Sequence, residues 1–335
     1  MFNNSAKKDF IDLTVRISYD EKTDTISFQS KGVKRRYKRK LDLSLKGPET
    51  DYSLHNLHYF LEREGVVPEY RFKTIPENLN HTHATTTEQW DKFPLGRFAD
   101  GEETIWDSSQ SSNLLIAGGA GTGKTVIQRN IILHCLRHPE NWVFYGIDLL
   151  RVELTPYLKY GKPITKIATT ASDALTVVTK AHTELNKRYL IMEQAGVNSF
   201  RDLPEPLPAW MIMIDEASYL LANTGSQTDE GKKEDLLREE LKYQLADIAR
   251  LGRSAGINLV LTTNRAESET FPESFKEDFT TRIALGRMHP IESHLLLGSD
   301  KTNEWAGAVR GRGYFQQFDE GYDFQAYGAD KDLGI

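Results

Sequence analysis

The sequence predicts an α/β fold, a parallel β-sheet flanked by helices, preceded by a small N-terminal α+β domain. Two observations carry the prediction. Apolar runs of strand length alternate with stretches of helical periodicity, in the order NLLIAG, VIQRNIILHCLRH, WVFYGID, a long segment from Asp173 to Ala195, WMIMID, a helix to Leu251, INLVLTT and TRIALGR. Strands joined by crossover helices leave this pattern. The first part of the chain instead alternates apolar and polar residues with period two, as strands with one wet face do. A chain of 335 residues, 39% apolar and 27% charged, is long enough to give both parts a core.

Residues 10–46 read as short strands, with IDLTVRISYD and TDTISFQS forming a hairpin around the turn residues Tyr19 to Asp24. The basic stretch Lys31 to Lys40 follows. Val33, Tyr37, Leu41, Leu43 and Leu45 occupy alternate positions there and beyond, so the charges are expected on the solvent face of another strand. SLHNLHYFLEREG, from Ser53, has an N-cap serine, a helical pattern and a closing glycine, and is expected to be a short helix. Tyr70 to Phe98 is rich in Thr, Asn, His and Pro without periodicity, and reads as an irregular linker. The boundary is placed near Glu88, giving an accessory domain with its linker over 1–88 and a second domain over 89–335.

Several functional classes are disfavoured. One cysteine, Cys135, allows neither an internal disulfide framework nor a cysteine-based zinc cluster and suits a reducing, cytoplasmic compartment. It falls among Ile131, Ile132 and Leu136 and is expected to be buried. No stretch has the apolar length needed to cross a bilayer, and the first residues lack a signal-peptide core, so no direct membrane insertion is expected. A net charge of −6 argues against coating nucleic acid non-specifically. The pairs His55/His58 and His81/His83 have metal-like spacing but no cysteine nearby, and no metal is assigned to them.

The chemistry begins at Gly118-Gly-Ala-Gly-Thr-Gly-Lys-Thr125, a match to G-x-x-x-x-G-K-[ST] placed between a buried strand and a helix. Glycines let successive backbone amides turn inward on phosphates, and the helix N-terminus adds its positive end. Gly118, Gly119, Ala120, Gly121, Thr122, Gly123, Lys124, Thr125 and Val126 are the expected contacts to ATP. Lys124 is expected at the β- and γ-phosphates, and Thr125 as a hydroxyl ligand to Mg²⁺. About ninety residues later, Trp210 to Ile214 is a buried-strand run ending in Asp215-Glu216. At the carboxyl edge of a parallel sheet such a pair lies beside the phosphate site. Asp215 is expected to hold Mg²⁺ through its water shell, and Glu216 to orient and deprotonate the attacking water.

These two motifs suit many P-loop NTPases; the residues after Asp215 are more specific. Asp247 to Arg265, DIARLGRSAGINLVLTTNR, resembles the FtsK/SpoIIIE/HerA translocase family, in which a helix with an Arg-x-x-Gly end precedes a strand closing in a Thr-Gln-Arg-like sensor. That helix carries an apolar stripe of Leu237, Leu241, Leu245 and Ile248. Phe144 to Asp148 with Val152-Glu153-Leu154, ELNKRYLIMEQAG from Glu184, Thr281-Arg282-Ile283 and Gly311-Arg312-Gly313 extend the resemblance over residues 93–328. It implies a RecA-like ATPase motor, commonly a hexameric ring, that hydrolyses ATP between subunits and moves double-stranded DNA. It also implies an arginine reaching the neighbour's γ-phosphate, by position Arg253, with Arg250 as runner-up, and a sensor role for Asn264.

This chain departs from the family at Asn264, where glutamine is usual, at Ala266 for proline, at Ala120 for threonine and at Leu150 for lysine. Within residues 1–335 no winged-helix domain or membrane segment like those of chromosome-segregating relatives is expected, and a plasmid, conjugative element or phage is the expected setting. A membrane-anchored or mobile-element partner protein is a further expectation. Two other functions share the motifs: a polypeptide-moving ATPase of the type VII secretion kind, and a non-catalytic nucleotide switch that assembles other factors.

Overall fold

A computed structural model describes residues 88–98, 102–264, 277–299, 301–304, 309–318 and 320–328, together with four strands nearer the start. Those strands are β1 (Thr14–Asp20), β2 (Thr25–Ser30), β3 (Val33–Lys38) and β4 (Thr50–Ser53), in an antiparallel sheet of order β3-β2-β1-β4. The expected hairpin is present, with Tyr19 opposite Ile26 and Ile17 opposite Phe28. The basic stretch supplies β3, pairing Tyr37 with Ile26. β4 has no counterpart in the sequence reading. Ser53, the expected N-cap of a helix, ends β4, and the rest of that helix to Gly65 and both histidine pairs fall outside the described residues.

The second sheet has ten strands. In chain order they are β5 (Lys92–Phe98), β6 (Glu103–Asp107), β7 (Asn113–Gly118), β8 (Trp142–Ile147), β9 (Ile164–Ala168), β10 (Ala209–Ile214), β11 (Ile257–Thr263), β12 (Thr281–Leu285), β13 (Arg312–Gln317) and β14 (Glu320–Ala326). Their order across the sheet is β6-β5-β14-β13-β12-β7-β11-β10-β8-β9. The six from β12 to β9 run parallel, whereas β13, β14, β5 and β6 extend the sheet as an antiparallel wing. Among the described residues five α-helices accompany it: α1 (Lys124–Arg137), α2 (Ala171–Ala195), α3 (Ala217–Leu221), α4 (Asp229–Ala255) and α5 (Pro290–Leu297).

The central strands β7, β10 and β11 are buried at every position and mostly apolar because both faces are covered. Side chains alternate between the faces. Leu115, Ala117, Ile212, Ile214, Leu259 and Leu261 join a core with Val177, Val178, Ala181 and Leu185 of α2 and Leu241, Leu245 and Ile248 of α4. Leu114, Ile116, Met211, Met213 and Val260 join a second core with Ile127, Ile131, Ile132 and Cys135 of α1. Cys135 is fully buried, as expected, and its burial pushes the thiol pKa well up. Each such large apolar side chain contributes about 1.5–3 kcal/mol on leaving water, which makes the two cores the main force holding the sheet between its helices.

The linker reading of Tyr70 to Phe98 is corrected at its end, since Lys92–Phe98 is a strand whose Phe93 and Leu95 are buried. Pro94 and Gly96 make this segment look irregular. The register shifts between these residues, and a Cβ on Gly96 would stand 2.1 Å from the carbonyl oxygen of Gln325. Glycine lets β5 approach β14 this closely.

Candidate functional site

The parallel strands end together, and their carboxyl edge gathers the predicted residues. β7 runs into the phosphate loop, β10 into Asp215-Glu216 and β11 into Asn264. In the sheet order β11 stands between β7 and β10. The chain leaving β11 is therefore held between the lysine and the acidic pair. This strand order gives Asn264 its position.

Gly121 and Gly123 have φ of 78° and 117°, a region that costs side chains dearly and glycine little. Their turns bring the chain from β7 to the first amides of α1, where no acidic residue occupies the first turn. The loop is seated on the turns flanking the β12–β13 hairpin. Gly311 N–H donates to the Thr122 carbonyl at 2.8 Å. A Cβ on Gly123 would lie 3.2 Å from the backbone of Gly311, and one on Gly286 would lie 2.8 Å from Thr122 Cγ2. These contacts give Gly311 of the predicted Gly311-Arg312-Gly313 turn a physical role.

Lys124 Nζ donates to the carbonyls of Gly118 at 2.6 Å and Gly119 at 3.1 Å, and to Asn264 Oδ1 at 2.7 Å. Asn264 returns its side-chain amide to Glu216 Oε2 and its backbone N–H to Glu216 Oε1, the latter at 3.0 Å. A single side chain thus joins ammonium to carboxylate. Burial lowers the Lys124 pKa, while the charges of Glu216, Asp215 and Glu153 oppose that shift. Glu216 itself has φ 48° and ψ 60°, an uncommon conformation for a residue with a side chain. Its N–H donates to Thr262 Oγ1 at 3.2 Å, and Ser218 Oγ donates to its Oε1. The carboxylate is thereby aimed along the sheet edge.

Asp215 Oδ1 accepts from Gln128 Nε2 at 2.9 Å and from Thr262 Oγ1 at 2.8 Å. Gln128 is 2% exposed. Its Oε1 has no hydrogen-bond partner among the described residues, leaving an acceptor beside the acid. Sequence reading missed Gln128, Thr262 and Ser218. The spacing of Gln128, four residues after Lys124 and so on the same face of α1, was the signal available for it.

Other residues of the resemblance serve the framework. Asp148, fully buried, accepts at Oδ2 from the backbone N–H of Leu154 at 2.9 Å and of Thr155 at 3.3 Å, shaping the loop that carries Glu153. Arg188 donates to the carbonyls of Ala255 at 2.7 Å and Pro208 at 2.8 Å and pairs with Glu184 at 2.9 Å. Tyr189 Oη donates to the Leu251 carbonyl at 2.9 Å. Together they tie α2 to the end of α4. Gly256 closes α4 at φ 71°, where a Cβ would strike the Phe200 ring at 2.6 Å.

The predicted arginines do not join the site within one chain. α4 ends where β11 begins, at the amino edge of the sheet, about 20 Å from the carboxyl edge over a strand of this length. Arg253 is exposed there and makes one long bond, 3.4 Å, to the Gln110 carbonyl. Arg250 pairs with Asp247 at 2.8 Å.

Comparison with known proteins agrees with this geometry. The FtsK/SpoIIIE family model matches residues 80–272, more than half of the chain. The chain is similar to the DNA translocase FtsK of Treponema pallidum, 28% identical over 215 residues that cover 61% of this chain and 25% of the relative. It is also similar to that of Streptococcus pneumoniae, 25% identical over 261 residues covering 73% and 32%. The chain therefore spans about a quarter to a third of the length of these curated relatives. Among solved structures, the pCW3 conjugation coupling protein TcpA, in its monomer form with ATPγS, superposes with a TM-score of 0.69 at 25% identity, over 77% of this chain and 72% of that one. The cytoplasmic domain of the type VII secretion ATPase EccC of Thermomonospora curvata shares the fold, with a TM-score of 0.59 at 23% identity over 76% of this chain and 30% of that one. A P-loop ATPase fold whose β7, β10 and β11 converge at one edge, together with a family match over most of that fold, leads to one assignment: the chain belongs to the FtsK/SpoIIIE family.

Proposed function

We propose that this protein is an ATP-driven motor that moves double-stranded DNA, hydrolysing ATP at the interfaces of a homo-oligomeric ring. The observation that carries the reading is the chain of contacts from Lys124 through Asn264 to Glu216. It sets a cation for phosphate and a carboxylate for water within reach of one shared amide. On this reading residues 1–88 are an accessory domain and 89–335 the motor.

Bound ATP takes amides of the loop between Gly119 and Val126 and draws the Lys124 ammonium onto its β- and γ-phosphates. Lys124 then exchanges the Asn264 oxygen for phosphate oxygens. Asn264 keeps its grip on Glu216 and presents its freed oxygen to the attacking water. Glu216, fixed by Ser218 and the Asn264 backbone, orients that water and takes its proton. The residues around Asp215 fit a hard cation: a carboxylate, the Thr125 hydroxyl, and the unpartnered Gln128 Oε1 to accept from a coordinated water. These residues would hold Mg²⁺, whose charge would offset that of the phosphates. Arg253, beyond reach of its own phosphate loop, serves that of the next subunit, where its charge stabilises the transferring phosphoryl group. Such head-to-tail contact closes into a ring when the rotation permits.

DNA is favoured over polypeptide as cargo because the curated relatives are DNA translocases and the TcpA likeness covers most of both chains. A setting on a plasmid or conjugative element follows the same likeness. The test is the ATPase rate with and without linear duplex DNA, measured beside the solution mass with ATP present. Stimulation by DNA in an assembled form is expected. Turnover indifferent to DNA and raised by a secreted polypeptide would replace this reading with the secretion one, and absence of turnover would leave the nucleotide switch.

A further inference from the structure

The charges around Lys124 pose a problem for a site that takes a polyphosphate. The charged groups acting on its ammonium are carboxylates, Glu216, Asp215 and Glu153. A lysine and one divalent cation leave the tetra-anionic triphosphate and these acids undercompensated, and Arg253, the one arginine of the proposed mechanism, comes from a neighbouring subunit. The chain holds another cation much closer.

Arg310 lies on the turn Val309 to Gly311 that seats the phosphate loop. Three backbone contacts fix this turn: Gly311 N–H on the Thr122 carbonyl at 2.8 Å, Arg312 N–H on the Val309 carbonyl at 3.1 Å, and the Arg310 carbonyl accepting from Gln325 Nε2 at 2.9 Å. The side chain starts against the loop itself, with Arg310 Cγ 4.0 Å from where a Cβ on Gly123 would be. Beyond that point it is exposed. No ion pair or hydrogen bond engages its guanidinium among the described residues. An arginine with a pinned backbone and an uncommitted head, beside the glycine that opens the phosphate-binding helix, is placed to act on an anion in the loop. Its position past Gly123, on the side away from Asn264 and Glu216, favours the nucleoside end of the bound nucleotide over the γ-phosphate.

We propose that Arg310 is a nucleotide-binding residue acting within its own subunit, its guanidinium taking the phosphate next to the ribose. The inference rests on the ATPase reading above and adds to it a cation from the antiparallel wing. Guanidinium suits this role because its paired N–H groups match phosphate oxygens.

The test is a binding titration of the full chain with fluorescent N-methylanthraniloyl ATP and ADP, at low and high salt, for wild type, Arg310→Lys, Arg310→Ala, Arg310→Glu and Lys124→Ala. Affinity should fall in the order wild type, Lys, Ala, Glu. The alanine variant should lose about tenfold or more for ATP and ADP alike, and less at high salt. None of the bonds that pin the turn is made by the Arg310 side chain, so truncating it leaves them in place, and only a charge contact predicts a graded series. A flat series, or a loss confined to ATP, would overturn the assignment while wild-type binding and its loss in Lys124→Ala left the ATPase reading standing. A wild-type chain that binds neither nucleotide overturns that reading first, and this contact with it.

Discussion

At the carboxyl edge of the sheet Lys124, Asn264 and Glu216 are joined to one another and half open to solvent, whereas at the amino edge Arg188 is 1% exposed and spends its guanidinium on carbonyls of α4 and its flank. Both edges use charged side chains with several hydrogen bonds each. The difference lies in what those bonds hold. Arg188 satisfies the carbonyl of Ala255, at the end of α4, and that of Pro208, just before β10, and removing it exposes a structural debt. The Lys124 contacts are to groups that a phosphate can replace, so the same number of bonds marks a poised site. Arg253, a neighbour of the structural arginine in space, follows neither pattern, with one long bond and an exposed head.

Substitutions that separate chemistry from framework test this contrast. Lys124→Ala should abolish nucleotide binding and reduce turnover to background, since the phosphates lose their main cationic partner, while thermal stability stays close to wild type. Titration and a melting curve on one preparation check both halves. Arg253→Ala should leave binding by the isolated chain intact and lower assembly-dependent turnover by about 10³-fold. Mixing it with Glu216→Gln subunits should restore part of the rate, and failure to complement would place Arg253 with the framework. Glu216→Gln should retain ATP and slow hydrolysis by about 10²-fold or more, measured in single turnover; a rate near wild type would remove its role as base. Arg188→Ala should cost about 3 kcal/mol of stability by leaving two carbonyls without this donor and Glu184 with only the longer Lys187 contact, read from denaturant unfolding, with little change in nucleotide affinity. Smallest in effect, Gly256→Ala should destabilise by about 1–2 kcal/mol through its left-handed backbone, with any larger loss reporting the contact with Phe200.

What sequence revealed follows the same division. Residues that need a particular chemical type at a fixed spacing were legible: Gly118 to Thr125, Asp215 with Glu216, and Asn264 at the end of an apolar run. The strands β7, β8, β10 and β11 were legible because burial on both faces leaves uninterrupted apolar runs. The antiparallel wing was not. In β5 a proline and a glycine interrupt the pattern, β13 and β14 mix glycine with glutamine, and β5 pairs with a strand more than two hundred residues away. Gln128 and Thr262 escaped for another reason: an amide and a hydroxyl acquire meaning only when folding sets them against Asp215. Asp148 and Arg188 were noticed by resemblance alone, and their hydrogen bonds show that the resemblance there preserves architecture.

The length of α4 has a mechanical consequence. Its 27 residues form one uninterrupted rod of about 40 Å. Near its start Arg238 grips the carbonyls of Tyr219, Leu220 and Ala222, just past Glu216, and its last turn bears Arg253. On the proposed mechanism, a displacement of the peptide after Glu216 would be carried along this rod to Arg253, and so would gear one subunit's turnover to the posture that it offers its neighbour.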